Sequence, residues 1–209
     1  MLLAAGKSGR MGKSKLLLPW AGTSVVGHQL HTWQQLRPGQ IAVVRAEADQ
    51  ALLTELDRLG VARHDQITNP RPELGMFSSI RCAAQWRGWD QGLTHWVITL
   101  GDQPHLRLET LRTLLHFSAT NPDQVCQPRR LGWPHHPVVL PRKFFLELGV
   151  TPAHTLKDYL AGIPGEVTCC EIDDAGLELD LDTPADYARA LARFSDNASG
   201  PDARAAGAI

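Results

Sequence analysis

Apolar positions along the chain follow two alternating rhythms. Leu2 to Ala5, Ile41 to Val44 and the run HWVITL from His95 to Leu100 are unbroken and too short for helices, so they predict buried strands. Between them, apolar residues return every three or four positions. Val25, Val26, Leu30, Trp33 and Leu36 follow Ser24 as a helix cap, and Leu52, Leu53, Leu56 and Leu59 mark a second helix. Further helices are predicted from Gly75 to Trp86, through Leu108, Leu111, Leu114 and Leu115, over 153–160, and from Pro184 to Phe194 with Thr183 as cap. A weak strand signal lies over 62–68, and further strands are predicted around Val125 and from Glu166 to Ile172. LLLPW, residues 16–20, reads as a short apolar segment ending in a turn, and the prolines and histidines of GWPHHPVVLPRKFF predict an irregular lobe around Val138 to Leu140.

Strands that alternate with helices, without internal repeats, imply a three-layer α/β architecture on a mostly parallel central sheet. Ligands in such folds bind at the carboxyl ends of strands, near the point where strand order reverses. The apolar period ends at Phe194. The sequence therefore predicts one domain over 1–194 and a disordered tail over 195–209, where small residues dominate. The first strand would hold only about four residues, at the short end of the usual range, which predicts that the natural start lies upstream of Met1.

Directly after that first strand comes LAAGKSGRMGKSK, with Gly6, Gly9 and Gly12 at three-residue spacing and the cations Arg10 and Lys15. Glycines let bare backbone N–H groups approach an anion, and a forked guanidinium beside a compact ammonium suits a triphosphate. A Walker A loop is excluded, because Lys7 stands where its first glycine belongs. A dinucleotide loop would read GxGxxG and not GxxGxxG, although Arg45 could meet a 2′-phosphate. A plain tight turn with solvated basic residues is the remaining alternative at this point.

Composition narrows the partners. With 209 residues, 43% of them hydrophobic, the chain can bury a full core. A formal charge of −1 and a pI near 6.7 argue against general nucleic-acid or membrane-surface binding. No apolar run reaches a membrane span and no signal-peptide pattern is present, so a cytoplasmic location is expected. Cys82, Cys126, Cys169 and Cys170 form no CxxC pair and read as reduced, mostly core thiols. His28, His31 and His64 lack a third ligand at metal-binding spacing and read as packed or solvated. Most of the six tryptophans, Trp86, Trp89 and Trp96 included, read as packing residues; Trp133, in the irregular lobe, could stack on a planar ligand.

Nucleotidyl transfer needs a phosphate cradle, a divalent cation and an acceptor oxygen held in line. Mg²⁺ needs only one or two carboxylates besides the substrate's phosphates. Asp102, in GDQP after the clearest strand, is the first candidate, and Asp180 or Asp182, in DLDTP, the second. In their order and spacing, LAAGKSGRMGKSK, NPRPELGMFSSI, GDQP, HHPVVL and DLDTPADY resemble the molybdenum cofactor nucleotidyltransferases over about residues 2–191, and among them the cytidylyl-transferring members.

The resemblance implies a Rossmann-like nucleotidyltransferase fold in which Mg²⁺-CTP reacts with the terminal phosphate of a molybdopterin-type acceptor and releases pyrophosphate. It places nucleotide contacts at Ala4, Ala5, Gly6, Ser8 and Gly9, with Arg10 and Lys15 neutralising phosphates and Gly75 and Ser79 approaching base and ribose. It also implies Asp102 and Asp182 as metal ligands, His136 and Asp180 on the acceptor side, and a molybdenum hydroxylase or its maturation factor as recipient. Guanylyltransferases of this kind open with LAGG, so Ala5 here implies a smaller base site and favours CTP. Two departures lie on the acceptor side: His135 replaces the glycine of a Gly-His-Pro segment, and TPAHTLKDY lacks the glycines of a Gly-Asp-x-Gly segment. Guanylyl transfer, another small phosphorylated acceptor, a non-catalytic cofactor carrier and an NADP-dependent reductase remain as alternatives.

Overall fold

The computed structural model describes residues 1–6 and 14–198, with side chains through Phe194. Its strands are β1 (Leu2–Leu3), β2 (Pro19–Trp20), β3 (Thr23–Ser24), β4 (Val43–Ala46), β5 (Gln66–Asn69), β6 (His95–Leu100), β7 (Val125–Arg130), β8 (Trp133–Pro134), β9 (Val138–Pro141) and β10 (Val167–Glu171). The helices are α1 (Val25–Gln35), α2 (Gln50–Arg58), α3 (Met76–Gln85), α4 (Leu108–Ala119), α5 (Arg142–Glu147), α6 (Leu156–Ala161) and α7 (Pro184–Ala198).

Seven strands form the main path of the sheet in the order β10-β7-β9-β6-β1-β4-β5, while β8 extends β7 as a hairpin. Pairing is parallel for β6–β1, β1–β4, β4–β5 and β7–β10, and antiparallel where β9 lies between β6 and β7. Alternation along each strand sends side chains to two faces. Leu3, Val44, Ile67 and Ile98 pack under α3, α5 and α6 through Ile80, Phe145 and Leu156. On the other face, Leu2 and Val43 meet α1, α2 and α7 through Val26, Leu52 and Ala190, and α4 adds Leu111 and Leu114 above Cys126 and Val139. The predicted three-layer, mostly parallel α/β fold is what forms.

Several local expectations are corrected. Val138 to Leu140 are not an irregular lobe but a fully buried antiparallel strand beside β6. Pro137 and Pro141 bracket this run and leave its interior ladder intact, so they mark its ends. The predicted strand over Ile41 to Val44 is assigned two residues later, because the ladder with β1 begins where Leu2 N donates to Ala42 O. A single 3₁₀ turn, Arg63–Asp65, takes the first half of the expected strand over 62–68. Of the four cysteines only Cys126 is buried; the other three are partly exposed. Helix α7 continues to Ala198, past the expected start of the tail, and the remaining tail residues, 199–209, lie outside the described residues.

The expected caps hold. Ser24 Oγ accepts from Gly27 N at 3.1 Å, and Thr183 Oγ1 accepts from Asp186 N at 3.2 Å.

Candidate active site

The chain runs outward from β1 to β4 and β5, then returns to place β6 on the other side of β1, so the order reverses between β1 and β6. A crevice opens at the carboxyl ends of these two strands. Leu3 is opposite Leu100, and Gly101 N donates to Leu3 O at 2.9 Å. A Cβ on Gly101 would lie 2.8 Å from that same oxygen, so only glycine lets the strand end draw this close. The next residue, Asp102, is thereby fixed beside the segment that leaves β1.

Lys15 opens a 3₁₀ turn, Lys15–Leu17, anchored by buried Leu16. Its ammonium contacts Asp102 Oδ2 and lies 3.2 Å from Asp182 Oδ1. Asp182 is aimed by its neighbours. Leu181 is fully buried against α1 and α2, and Thr183 and Asp186 form a reciprocal capping box in which Asp186 Oδ2 accepts from Thr183 N at 2.8 Å. Three residues distant in sequence therefore meet as a carboxylate–ammonium–carboxylate bridge.

Burial works against the charge of Lys15, but Asp102 foremost, and then Asp182, raise its pKa above the ordinary lysine value and keep it protonated. Asp180 shows the opposite balance. Its pKa is pushed up by burial and then by the charge of Asp102, against a hydrogen bond from Gln103 Nε2 at 3.2 Å. The site thus gathers more anionic than cationic charge among its described residues.

A cavity of about 370 Å³ adjoins the bridge. Its lining includes Ala4, Ala5, Gly6 and Lys15 from the segment after β1, Gly75 and Ser79 from the start of α3, and Asp102. Gly75, with φ of 88°, turns the chain into α3 through the left-handed region that favours glycine. Ser79 is held from behind: Asn69 Nδ2 donates to Ser78 Oγ at 2.8 Å and to Ser79 Oγ at 2.9 Å, while Asn69 Oδ1 accepts from Arg71 N at 2.9 Å.

Sequence reasoning passed over Asn69 and Gln103. Each is a buried polar residue at the carboxyl end of a strand, and that pairing of polarity with position is the signal that could have found them.

The expected acceptor residues lie outside this cavity. His136 is joined to Pro137 by a cis peptide, and its Nδ1 faces Ile98 O at 3.4 Å, a contact that needs the proton on Nδ1. Burial lowers its pKa more than the Ile98 carbonyl and Asp102 raise it. Trp133 stands 70% exposed on β8, outside the core formed by Trp89, Trp96 and Phe145. Ser8, Gly9 and Arg10 lie outside the described residues.

No cluster of three or more His, Cys, Asp or Glu suited to a metal occurs among the described residues. The oxygens of Asp102 and Asp182, already drawn around one cation, fit a hard divalent ion that takes its remaining ligands from phosphates and water. Among the described residues no helix is long and apolar enough to cross a membrane.

The sequence model of the MobA-like NTP transferase domain matches residues 1–167. The chain is 25% identical over 197 residues to molybdenum cofactor cytidylyltransferase of Escherichia coli K12, an alignment covering 94% of this chain and 96% of that one. The crystal structure of Rv0371c from Mycobacterium tuberculosis H37Rv superposes with a TM-score of 0.71 at 27% identity, over 91% of this chain and 95% of that one. A structure of Rv0371c in complex with manganese superposes with a TM-score of 0.67 at 25% identity, over 91% and 96%.

Proposed function

Because the chain belongs to the MobA-like NTP transferase domain family, we propose that it transfers CMP from CTP to the terminal phosphate of a molybdopterin-type acceptor carrying molybdenum, with release of pyrophosphate. The observation that carries this reading is the Asp102–Lys15–Asp182 bridge, whose Asp102 and Lys15 line one cavity with Ala4, Ala5, Gly6, Gly75 and Ser79. The cytidylyltransferase of E. coli, similar over nearly the whole of both chains, supports the choice of base and acceptor, and Ala5 in the cavity lining supports the choice of base.

In this reading the backbone after β1, together with Ser8, Gly9 and Arg10, cradles the triphosphate, and Lys15 neutralises it. Gly75 and Ser79 face the nucleoside, with Ser79 fixed by Asn69. An acceptor phosphate oxygen, held on the side of Asp180 and His136, attacks the α-phosphorus in line; its new P–O bond forms as the bond to the β-phosphate oxygen breaks. Mg²⁺, held by Asp102 and Asp182, would supply charge neutralisation at the α-phosphate and the leaving pyrophosphate. The protein's own work is positioning and electrostatics, with no covalent intermediate required. A cytoplasmic location and delivery to a molybdenum hydroxylase complete the proposal.

The test is pyrophosphate release from CTP and from GTP, each with Mg²⁺ and the molybdenum-bearing acceptor. Turnover preferring CTP is expected. Preference for GTP would make the protein a guanylyltransferase, and product binding without turnover of either nucleotide would make it a carrier.

A further inference from the structure

Lys15 faces two sites at once. Its ammonium bridges Asp102 and Asp182, and the same side chain lines the cavity assigned above to the nucleotide. Its backbone is held by the 3₁₀ turn and by Leu16, which is 5% exposed, whereas the four-carbon stem can swing. A divalent cation bound by both carboxylates would take the position this ammonium holds, and a dication and an ammonium cannot share it without strong repulsion. The triphosphate would offer the ammonium another set of oxygens a short swing away.

We propose that Lys15 is a built-in competitor of the divalent cation: it neutralises Asp102 and Asp182 until a nucleotide draws it onto the phosphates, so that metal and nucleotide enter together. The inference rests on the nucleotidyltransferase reading. Its consequence is that the two carboxylates, although arranged for a metal, bind it weakly in the free protein, and that cations do not accumulate in a site without substrate.

Mn²⁺ titration of the nucleotide-free protein, followed by electron paramagnetic resonance of the unbound ion, tests this. Lys15→Met and Lys15→Gln should each bind Mn²⁺ about tenfold or more tightly than the wild type, and Lys15→Arg should stay near the wild type. Lys143→Met removes a distant ammonium, now 3.4 Å from Glu166, and should change nothing. Circular dichroism and Tm establish that each variant is folded. Unchanged or weaker Mn²⁺ binding in both neutral variants, or an equal gain in Lys143→Met, overturns the proposal. A separate arm, the Tm shift of the wild type with CTP and Mg²⁺, tests the underlying reading: a shift there with no gain in the Lys15 variants would defeat the competitor role alone.

Discussion

Asp174 and Asp180, six residues apart in sequence, belong to two carboxylate sites that differ in how the protein neutralises them. Asp174, 5% exposed, has both oxygens engaged: Oδ1 accepts from Gly176 N at 2.9 Å, and Oδ2 accepts from Thr110 Oγ1 at 2.5 Å and lies 3.3 Å from Arg107 Nε. Burial alone would raise its pKa, but Thr110, Gly176 and Arg107 together hold it below the ordinary aspartate value. At the cleft, Asp102 and Asp182 share the one ammonium of Lys15, while the nearby Asp180 is pushed the other way. A carboxylate whose partners outweigh its burial is a structural device. A cluster that holds more carboxylates than cations among its described residues has a composition suited to an added cation.

The comparison breaks most readily at Asp102. Asp102→Ala should reduce CTP-dependent pyrophosphate release on the order of 10²–10³-fold, while the circular dichroism spectrum stays that of the wild type. Activity within a few-fold of the wild type would remove Asp102 from the chemistry and leave the bridge as a structural ion pair.

Asp174→Asn should do the reverse. An amide cannot accept from Thr110, Gly176 and Arg107 together, so stability should fall by about 1–3 kcal/mol, with the KM for CTP unchanged. The pH dependence has a fixed sign. Because folding depresses the pKa of Asp174, its contribution is fully present above the unfolded-state value and is lost as pH falls through the lower, folded value. The Tm gap between wild type and variant should therefore narrow below about pH 4. A gap that widened in acid would contradict the lowered pKa.

The main layers of the fold were legible in the sequence because the runs that became β1, β4 and β6 are rich in leucine or β-branched residues, and α1, α2 and α4 carry a three-to-four period. The bridge was half legible. Asp102 follows the clearest strand and Lys15 follows the glycine loop, yet nothing local says that they touch, since 87 residues separate them. Strand β9 was misread because its prolines are local signals of irregularity, whereas its burial comes from pairing with β6, 40 residues or more away. Asn69 was passed over for a related reason: its amide matters through the serines it fixes on α3, which only the folded turn brings within reach.

The finest division of the comparison lies at Asp180, which shares the cleft but is hydrogen-bonded by Gln103. Its raised pKa, caused by burial and by Asp102, means that ionised Asp180 opposes folding at neutral pH, the opposite sign to Asp174. Asp180→Asn removes that charge and keeps an oxygen that can accept from Gln103. It should leave Tm unchanged or raise it, by less than about 1 kcal/mol in stability, while weakening turnover if the carboxylate serves the acceptor. A clear loss of stability would show that Asp180 belongs with Asp174 as a structural group, and would move the boundary of the reactive cluster back to Asp102 and Asp182.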